Sequence, residues 1–240
     1  MDTDGSKTSI GVVIAVAVVA LLAGFGGAKL MDRNNVTADT SMSNGTMATP
    51  AAAATVVAPD AGTKAGDLRA AAVSLGLQHM HLTDQAVDAA LDGNADTAAV
   101  KTQLVANGAD ISGVIGAYYG DAAKTQFQTL WNTHLGDFES YAVAGKKNDA
   151  AGKASALADI AANYTAPIAK LLSGANPNLP NATLVTAFGD HVTMTAAVID
   201  DHNAGNFAKE QTDLTAADTH IAGLMSTLAG AIVKQFPAKF

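Results

Sequence analysis

One spaced pair of polar residues occurs three times in this chain of 240 residues. In each case a histidine among bulky apolar residues is followed 28 or 29 positions later by a second polar residue: His79 by Asn107, His134 by Asn163, and His191 by His220. The leading histidines lie 55 and 57 residues apart. A period of this length indicates a repeated supersecondary unit. We therefore expect three tandem helical hairpins, each with a polar pair at the same height.

The apolar residues after position 66 recur every three or four positions, as in amphipathic helices, and no stretch alternates as a strand would. The predicted helices span 67–91, 97–118, 122–143, 150–173, 182–203 and 207–234. Short turns rich in Gly, Asp and Asn separate them, and short connections make successive helices antiparallel neighbours. The predicted fold is all-α: a six-helix bundle of three tandem antiparallel hairpins, preceded by an N-terminal transmembrane helix and a flexible linker.

The first and third hairpins align without a gap, residues 79–96 against 191–208. Five positions are identical: His79/His191, Thr83/Thr195, Asp88/Asp200, Gly93/Gly205 and Asn94/Asn206. The histidine and the Gly-Asn turn are therefore separated by the same number of residues in both hairpins. The middle hairpin has a shorter turn and is the more diverged copy.

The N-terminal region contains nineteen residues without a charge, 10–28, close to the roughly 20 that cross a bilayer as a helix. We predict an uncleaved membrane anchor over 1–33; the alternative is a signal peptide cleaved after the small residues at 26–28. Residues 34–66 are rich in Thr, Ser, Ala and Pro and predict a disordered linker, which leaves a helical domain over 67–240. The expected location is the cell membrane, with a single pass and the domain outside the cytoplasm; the alternative is secretion.

Charge and composition exclude several classes of function. Acidic residues outnumber basic ones 22 to 14 and no basic cluster occurs, which argues against nucleic-acid binding. The absence of cysteine excludes disulfides, thiolate metal sites and covalent haem. The motifs of serine hydrolases, P-loop proteins and zinc proteases are also missing, so no catalytic residue is predicted.

Only two glutamates occur, Glu139 and Glu210, and neither is followed by a histidine three positions later. This excludes a carboxylate-bridged di-iron bundle. The sequence therefore favours a non-catalytic binding module or accessory subunit of the cell envelope, whose partners are the membrane and a membrane or envelope protein.

Helical phase places His79, His134, His191 and Asn107 in the core, with His220 beside the apolar seam. The favoured explanation is structural: each histidine donates to the Asn, to the His or to a backbone carbonyl across its own hairpin and so fixes the helix register. The alternative is a copper or zinc site, since neutral imidazole is a common ligand of both metals. A pocket for an organic ligand or cofactor, including noncovalent haem, is a third interpretation.

The candidate metal ligands are His79, His134, His191 and His220, with His202 as the weakest. His81 and His202 lie near acidic residues on outer faces, where a solvated surface or a helix-end contact is the favoured interpretation. Pro167 predicts a distortion of the fourth helix, because it cannot donate to the carbonyl of Asn163.

Overall fold

A computed structural model describes residues 62–240. The predicted anchor over 1–33, and the predicted linker up to residue 61, lie outside the described residues. Within the described part, helix is the regular secondary structure and no strand occurs. The prediction of an all-α protein with six helices is confirmed.

The α-helices are α1 (Lys64–Asp92), α2 (Thr97–Tyr119), α3 (Asp121–Lys146), α4 (Ala150–Ile160), α5 (Ala166–Ala175), α6 (Asn181–Ala204) and α7 (Phe207–Gln235). A π-helical segment, Ala161–Thr165, joins α4 to α5, so these two form the fourth of the six predicted helices. A 3₁₀ turn, Pro237–Lys239, follows α7. The first helix begins three residues before the predicted boundary, because Thr63 caps it by accepting a hydrogen bond from the Gly66 N–H.

The turns after α1 and α6 have the same backbone structure. Gly93 and Gly205 take left-handed φ angles of 72° and 71°. In each turn the following asparagine N–H donates to a carbonyl five residues back, Asn94 at 2.8 Å and Asn206 at 2.9 Å. A positive φ at this position is typical of glycine and satisfies the last carbonyls of a helix. The Gly-Asn pair that the two hairpins share in sequence therefore ends both helices with the same backbone conformation.

Successive helices pack against each other, α1 on α2, α2 on α3, α3 on α4, α5 on α6 and α6 on α7. The last helix, α7, also packs along α1, and α3 contacts α6. The interior between α1, α3 and α6 is rich in aromatic side chains, among them Trp131, Phe138, Tyr164 and Phe188. This packing brings the three leading histidines into one region.

Helices α6 and α7 are long and apolar enough to cross a membrane, judged by length and composition. Packed core helices pass the same test. The buried faces of these two helices carry His191, Asp201 and Glu210, and both helices pack on α1.

The predicted distortion at Pro167 is confirmed, since the π-helical segment ends two residues before it. The wider turn changes which side chains face inward. Asn163 is exposed, whereas Tyr164 and Thr165 are buried. The prediction that Asn163 pairs with His134 in the core is therefore wrong, because the extra residue in this turn rotates Asn163 outward.

Candidate metal centre

Three of the predicted ligands, His79 on α1, His134 on α3 and His191 on α6, meet in the core. Each offers one nitrogen, and these three nitrogens lie within 4.8 Å of one another. The residues are 2%, 0% and 2% exposed. The ring centroid of His79 lies 5.6 Å from that of His134 and 5.8 Å from that of His191. These three residues are called the core histidine cluster below.

Aromatic rings hold the cluster in place. The indole of Trp131 lies 4.5 Å from the ring of His79 and 4.9 Å from that of His134, measured between centroids. The ring of Tyr164 stacks on His134 at 4.2 Å with an interplanar angle of 17°. Because Tyr164 belongs to the π-helical segment, the widened turn is what brings it over the imidazole. The cluster is thus oriented by rigid rings and separated from solvent.

Burial keeps all three imidazoles neutral at neutral pH. It lowers the pKa of His134 to about 3, with a smaller contribution from the proximity of His191, because two protonated rings would repel each other. Burial, and then the proximity of His220, lowers the pKa of His191 to about 4. The pKa of His79 falls well below its usual value, chiefly by burial and then through His134 and His191. The carbonyls of Trp131 and Leu130 oppose the shift at His134, but neither meets its ring nitrogens in hydrogen-bond geometry.

Several nitrogens of the cluster have no hydrogen-bond partner among residues 62–240. They are Nδ1 of His79, both ring nitrogens of His134, and Nδ1 of His191. Nε1 of Trp131 and Oδ1 of Asn107 are buried without a partner in the same part of the chain. Buried polar side chains nearly always have partners, and leaving one unpaired costs on the order of 1–3 kcal/mol. A neutral imidazole carries a proton on one ring nitrogen and keeps a lone pair on the other, which can bind a metal ion.

The partners predicted for His79 and His191 bind backbone carbonyls instead. The Asn107 side-chain N–H donates to the carbonyl of Leu75 at 3.0 Å, and the Nε2–H of His220 donates to the carbonyl of Ala187 at 2.9 Å. Leu75 and Ala187 each lie four residues before their leading histidine. In the first and third hairpins, the second polar residue of the repeat therefore binds a backbone carbonyl one helical turn before the leading histidine. Among the described residues, His79 does not bond to Asn107 and His191 does not bond to His220, so these two forms of the prediction are wrong. The bond from His220 to Ala187 is of the third predicted form, to a backbone carbonyl across the hairpin; it occupies Nε2 of His220, which lies outside the cluster.

A small cavity adjoins the cluster. It has a volume of about 50 Å³ and is bounded by His79 and His191 together with apolar side chains of α1, α2, α3, α6 and α7. A cavity of this size holds one or two water-sized molecules. A metal ion bound by the three histidines would therefore have room for one small additional ligand.

His202 lies in a second group of potential ligands. Its side chain is 8% exposed, and its Nδ1 lies 2.8 Å from Asp88 Oδ1 and 3.2 Å from Glu210 Oε1. Its Nε2 lies 3.4 Å from Asp92 Oδ1. The interpretation of His202 as part of a solvated surface is therefore wrong, because its side chain is enclosed by residues of α1 and α7.

The carboxylates around His202 are partly buried and repel one another. Burial, followed by the charge of Glu210, raises the pKa of Asp84 to about 6. Burial, followed by the charge of Asp84, raises the pKa of Asp88 to about 7. Burial opposes protonation of His202, but Asp88 and Glu210 outweigh it, so the pKa of His202 is raised. The signal for this site was present in the sequence as Asp84, Asp88 and Asp92, spaced four apart on one face of α1.

The side chain of His81 is 54% exposed, and its Nε2 lies 3.2 Å from Asp218 Oδ2 on α7. The interpretation of His81 as a surface residue agrees with this position.

Comparison with known proteins adds no functional information. The chain matches no protein-family model, no curated protein and no solved structure. Its function is therefore inferred from the chemistry of the two histidine sites.

Proposed function

We propose that the helical domain is a metal-binding module that holds one copper ion through His79, His134 and His191. The observation that supports this most directly is the convergence of three neutral, buried imidazoles whose nitrogens lie within 4.8 Å of one another. Each of the three rings has at least one buried nitrogen without a hydrogen-bond partner among residues 62–240, and each neutral ring has one lone pair available to a metal.

The geometry needs only small adjustments to accept an ion. Imidazole nitrogens lie about 2.0–2.1 Å from a bound metal, so three of them around one ion are roughly 3.5 Å apart. The nitrogens of the core histidine cluster would close by about 1 Å, which side-chain rotation can supply. Because burial already holds the histidines neutral, no ligand has to lose a proton on binding.

The uncharged ligand set favours Cu(I) over Zn(II). The cost of burying an ion in an apolar interior grows with the square of its charge, so a divalent ion costs about four times as much as a monovalent one. No carboxylate belongs to the core histidine cluster to offset that cost. Imidazole is a good ligand for both metals, so zinc is the weaker-binding alternative.

The module would act at the cell envelope. Residues 10–28 are apolar over a length suited to one membrane helix, and residues 34–61 would separate that helix from the domain. This arrangement would place the metal-binding domain outside the cytoplasm, as a non-catalytic accessory protein to a partner in the membrane or envelope. It rests on the sequence and on the absence of the catalytic motifs considered above.

Metal titration of the detergent-solubilised full chain tests the proposal. After removal of metal by a chelator, Cu(I) is added without oxygen in competition with a colorimetric Cu(I) chelator. We expect one tightly bound copper per chain, and at least a hundredfold weaker binding in the His134→Ala variant.

The matched controls are His81→Ala and His220→Ala, which remove a histidine outside the cluster and should retain copper. Folding of each variant is checked by circular dichroism. A folded wild-type protein that binds no Cu(I), or a folded His134→Ala variant that binds it equally well, would overturn the proposal and leave the three histidines a packing role.

A further inference from the structure

The group of side chains around His202 joins three helices, with Asp88 from α1, His202 from α6 and Glu210 from α7. We propose that these three residues form a second metal site, for a divalent cation such as Mn²⁺ that prefers carboxylate ligands. This inference does not depend on copper binding in the core.

The ligand atoms already face one another. Nδ1 of His202 lies 2.8 Å from Asp88 Oδ1 and is hydrogen-bonded to Glu210 Oε1 at 3.2 Å. An ion between these atoms would take the place of the proton on Nδ1. The three residues meet the geometric requirement for a shared ion, since their ligand atoms lie within 4.8 Å of one another.

A further carboxylate orients the imidazole. Asp92 Oδ1 lies 3.4 Å from Nε2 of His202, on the opposite side of the ring from Nδ1. A metal-bound histidine commonly donates its other N–H to a carboxylate, which fixes the tautomer and the ring direction. Asp92 is therefore a positioning residue, and Asp88, His202 and Glu210 are the proposed ligands.

The local charge favours a divalent cation. Asp84, Asp88, Asp92 and Glu210 lie around the imidazole of His202, and Glu210 is only 2% exposed. The nearby ammonium group of Lys209 is shared by Asp201 and Asp213, at 2.8 Å each. Within the described part of the chain, the carboxylates around His202 outnumber the two imidazoles near them, His202 and the exposed His81 beside Asp84, and a divalent ion would offset this excess negative charge.

Two buried polar atoms near His202 support this second metal site independently of its charge. Oγ1 of Thr83, a residue only 5% exposed, has no hydrogen-bond partner among residues 62–240, and neither has Oδ1 of Asp84. Thr83, Asp84 and Asp88 line one cavity of about 10 Å³ between α1, α6 and α7. This hydroxyl and this carboxylate oxygen are suited to bind a ligand or the hydration water of a cation held at Asp88.

The two proposed sites differ in chemistry and can be tested separately. The core histidine cluster offers three neutral nitrogens, whereas the His202 site offers one nitrogen and two carboxylates. Mn²⁺ has little affinity for uncharged imidazoles in an apolar interior and is therefore a selective probe of the second site.

The experiment adds Mn²⁺ alone to the metal-free full chain and follows the loss of free Mn²⁺ by electron paramagnetic resonance. We expect one bound Mn²⁺ per chain, and at least tenfold weaker binding in the Asp88→Asn and Glu210→Gln variants. The controls Asp213→Asn and Glu139→Gln remove carboxylates outside the site and should bind as the wild type does.

Two further variants separate this proposal from the copper proposal. His134→Ala should retain Mn²⁺, and Glu210→Gln should retain Cu(I). If Glu210→Gln does not fold, Asp88→Asn and His202→Gln serve as the ligand variants. The second site would be refuted by a folded wild-type chain that binds no Mn²⁺, or by ligand variants that bind it unchanged.

Discussion

At the scale of single residues, burial determines the chemistry of the core histidines. The same desolvation that makes them available as metal ligands also makes the metal-free protein sensitive to acid. His134 and His191 have pKa values of about 3 and 4 in the folded chain, against about 6.5 when unfolded. Between those values the unfolded state binds more protons than the folded state.

The first prediction follows from this difference. In the metal-free protein, the stabilisation provided by neutral His191 is present above about pH 6.5 and is lost as the pH falls towards 4. Its contribution over that range is on the order of 3 kcal/mol. Urea unfolding between pH 4 and 7 should therefore show that His191→Phe loses less stability on acidification than the wild type.

Asp84 and Asp88 act in the opposite direction, because their raised pKa values favour the folded state at low pH, an effect lost as the pH rises through 6 to 7. Their contribution cancels when the variant is compared with the wild type. Equal acid sensitivity in the two proteins would contradict the pKa assigned to His191.

The second prediction concerns the two asparagines of the repeat. The buried Asn107 side chain donates to Leu75 and, at 2.9 Å, to the Oε1 of Gln78. Asn107→Ala should lower the free energy of unfolding by about 1–3 kcal/mol, since it removes both bonds from a buried site. Asn163→Ala, at an exposed position in the π-helical segment, should change it by less than about 0.5 kcal/mol. Chemical denaturation measures both, and equal effects would refute the assignment of inward and outward positions.

At the scale of helices, local sequence patterns predicted where each helix begins and ends, but not which side chains of the fourth helix face the core. Apolar periodicity and the Gly-Asn turns placed the helix ends close to where the structure has them. Pro167 indicated a distortion, but not that the distortion would be a π-helical segment that exposes Asn163 and buries Tyr164. That outcome depends on packing against His134, which lies on another helix and is invisible to a local pattern.

The third prediction tests how α2 and α3 pack around the cluster. Gly108 on α2 faces the indole of Trp131, and a methyl group there would collide with it. Gly108→Ala should therefore destabilise the protein by about 1–3 kcal/mol and weaken Cu(I) binding, because Trp131 lies against His79 and His134. Gly113→Ala on the same helix meets no atom within 4 Å and should stabilise the helix by up to about 1 kcal/mol.

Thermal unfolding and copper titration of the two glycine variants check this prediction together. If Gly108→Ala is as stable as Gly113→Ala, then Trp131 does not hold the position described here.

At the scale of the whole molecule, the repeat predicted the order of helices but not their convergence. The first and third hairpins share a turn and a contact from the second helix to a backbone carbonyl of the first. The middle hairpin departs from this pattern at Tyr164. Three histidines separated by more than fifty residues meet because α1, α3 and α6 pack together, and a single sequence contains no direct signal for such non-local contacts.

The same limit applies to the second site. The acidic face of α1 was readable from the spacing of Asp84, Asp88 and Asp92, but Glu210 and His202 reach it only through the packing of α6 and α7 on α1. Sequence reasoning therefore identified His202 without its ligand partners.

X-ray absorption at the copper edge identifies the atoms bound to copper. The full chain is loaded with one equivalent of Cu(I) without oxygen, and the His134→Ala variant is measured in parallel. We predict about three nitrogen neighbours at roughly 2.0 Å, with the outer-shell scattering typical of imidazole, and loss of this signal in the variant. A copper environment dominated by sulfur or by carboxylate oxygen, or one unchanged in the folded variant, would show that the core histidine cluster does not hold the copper.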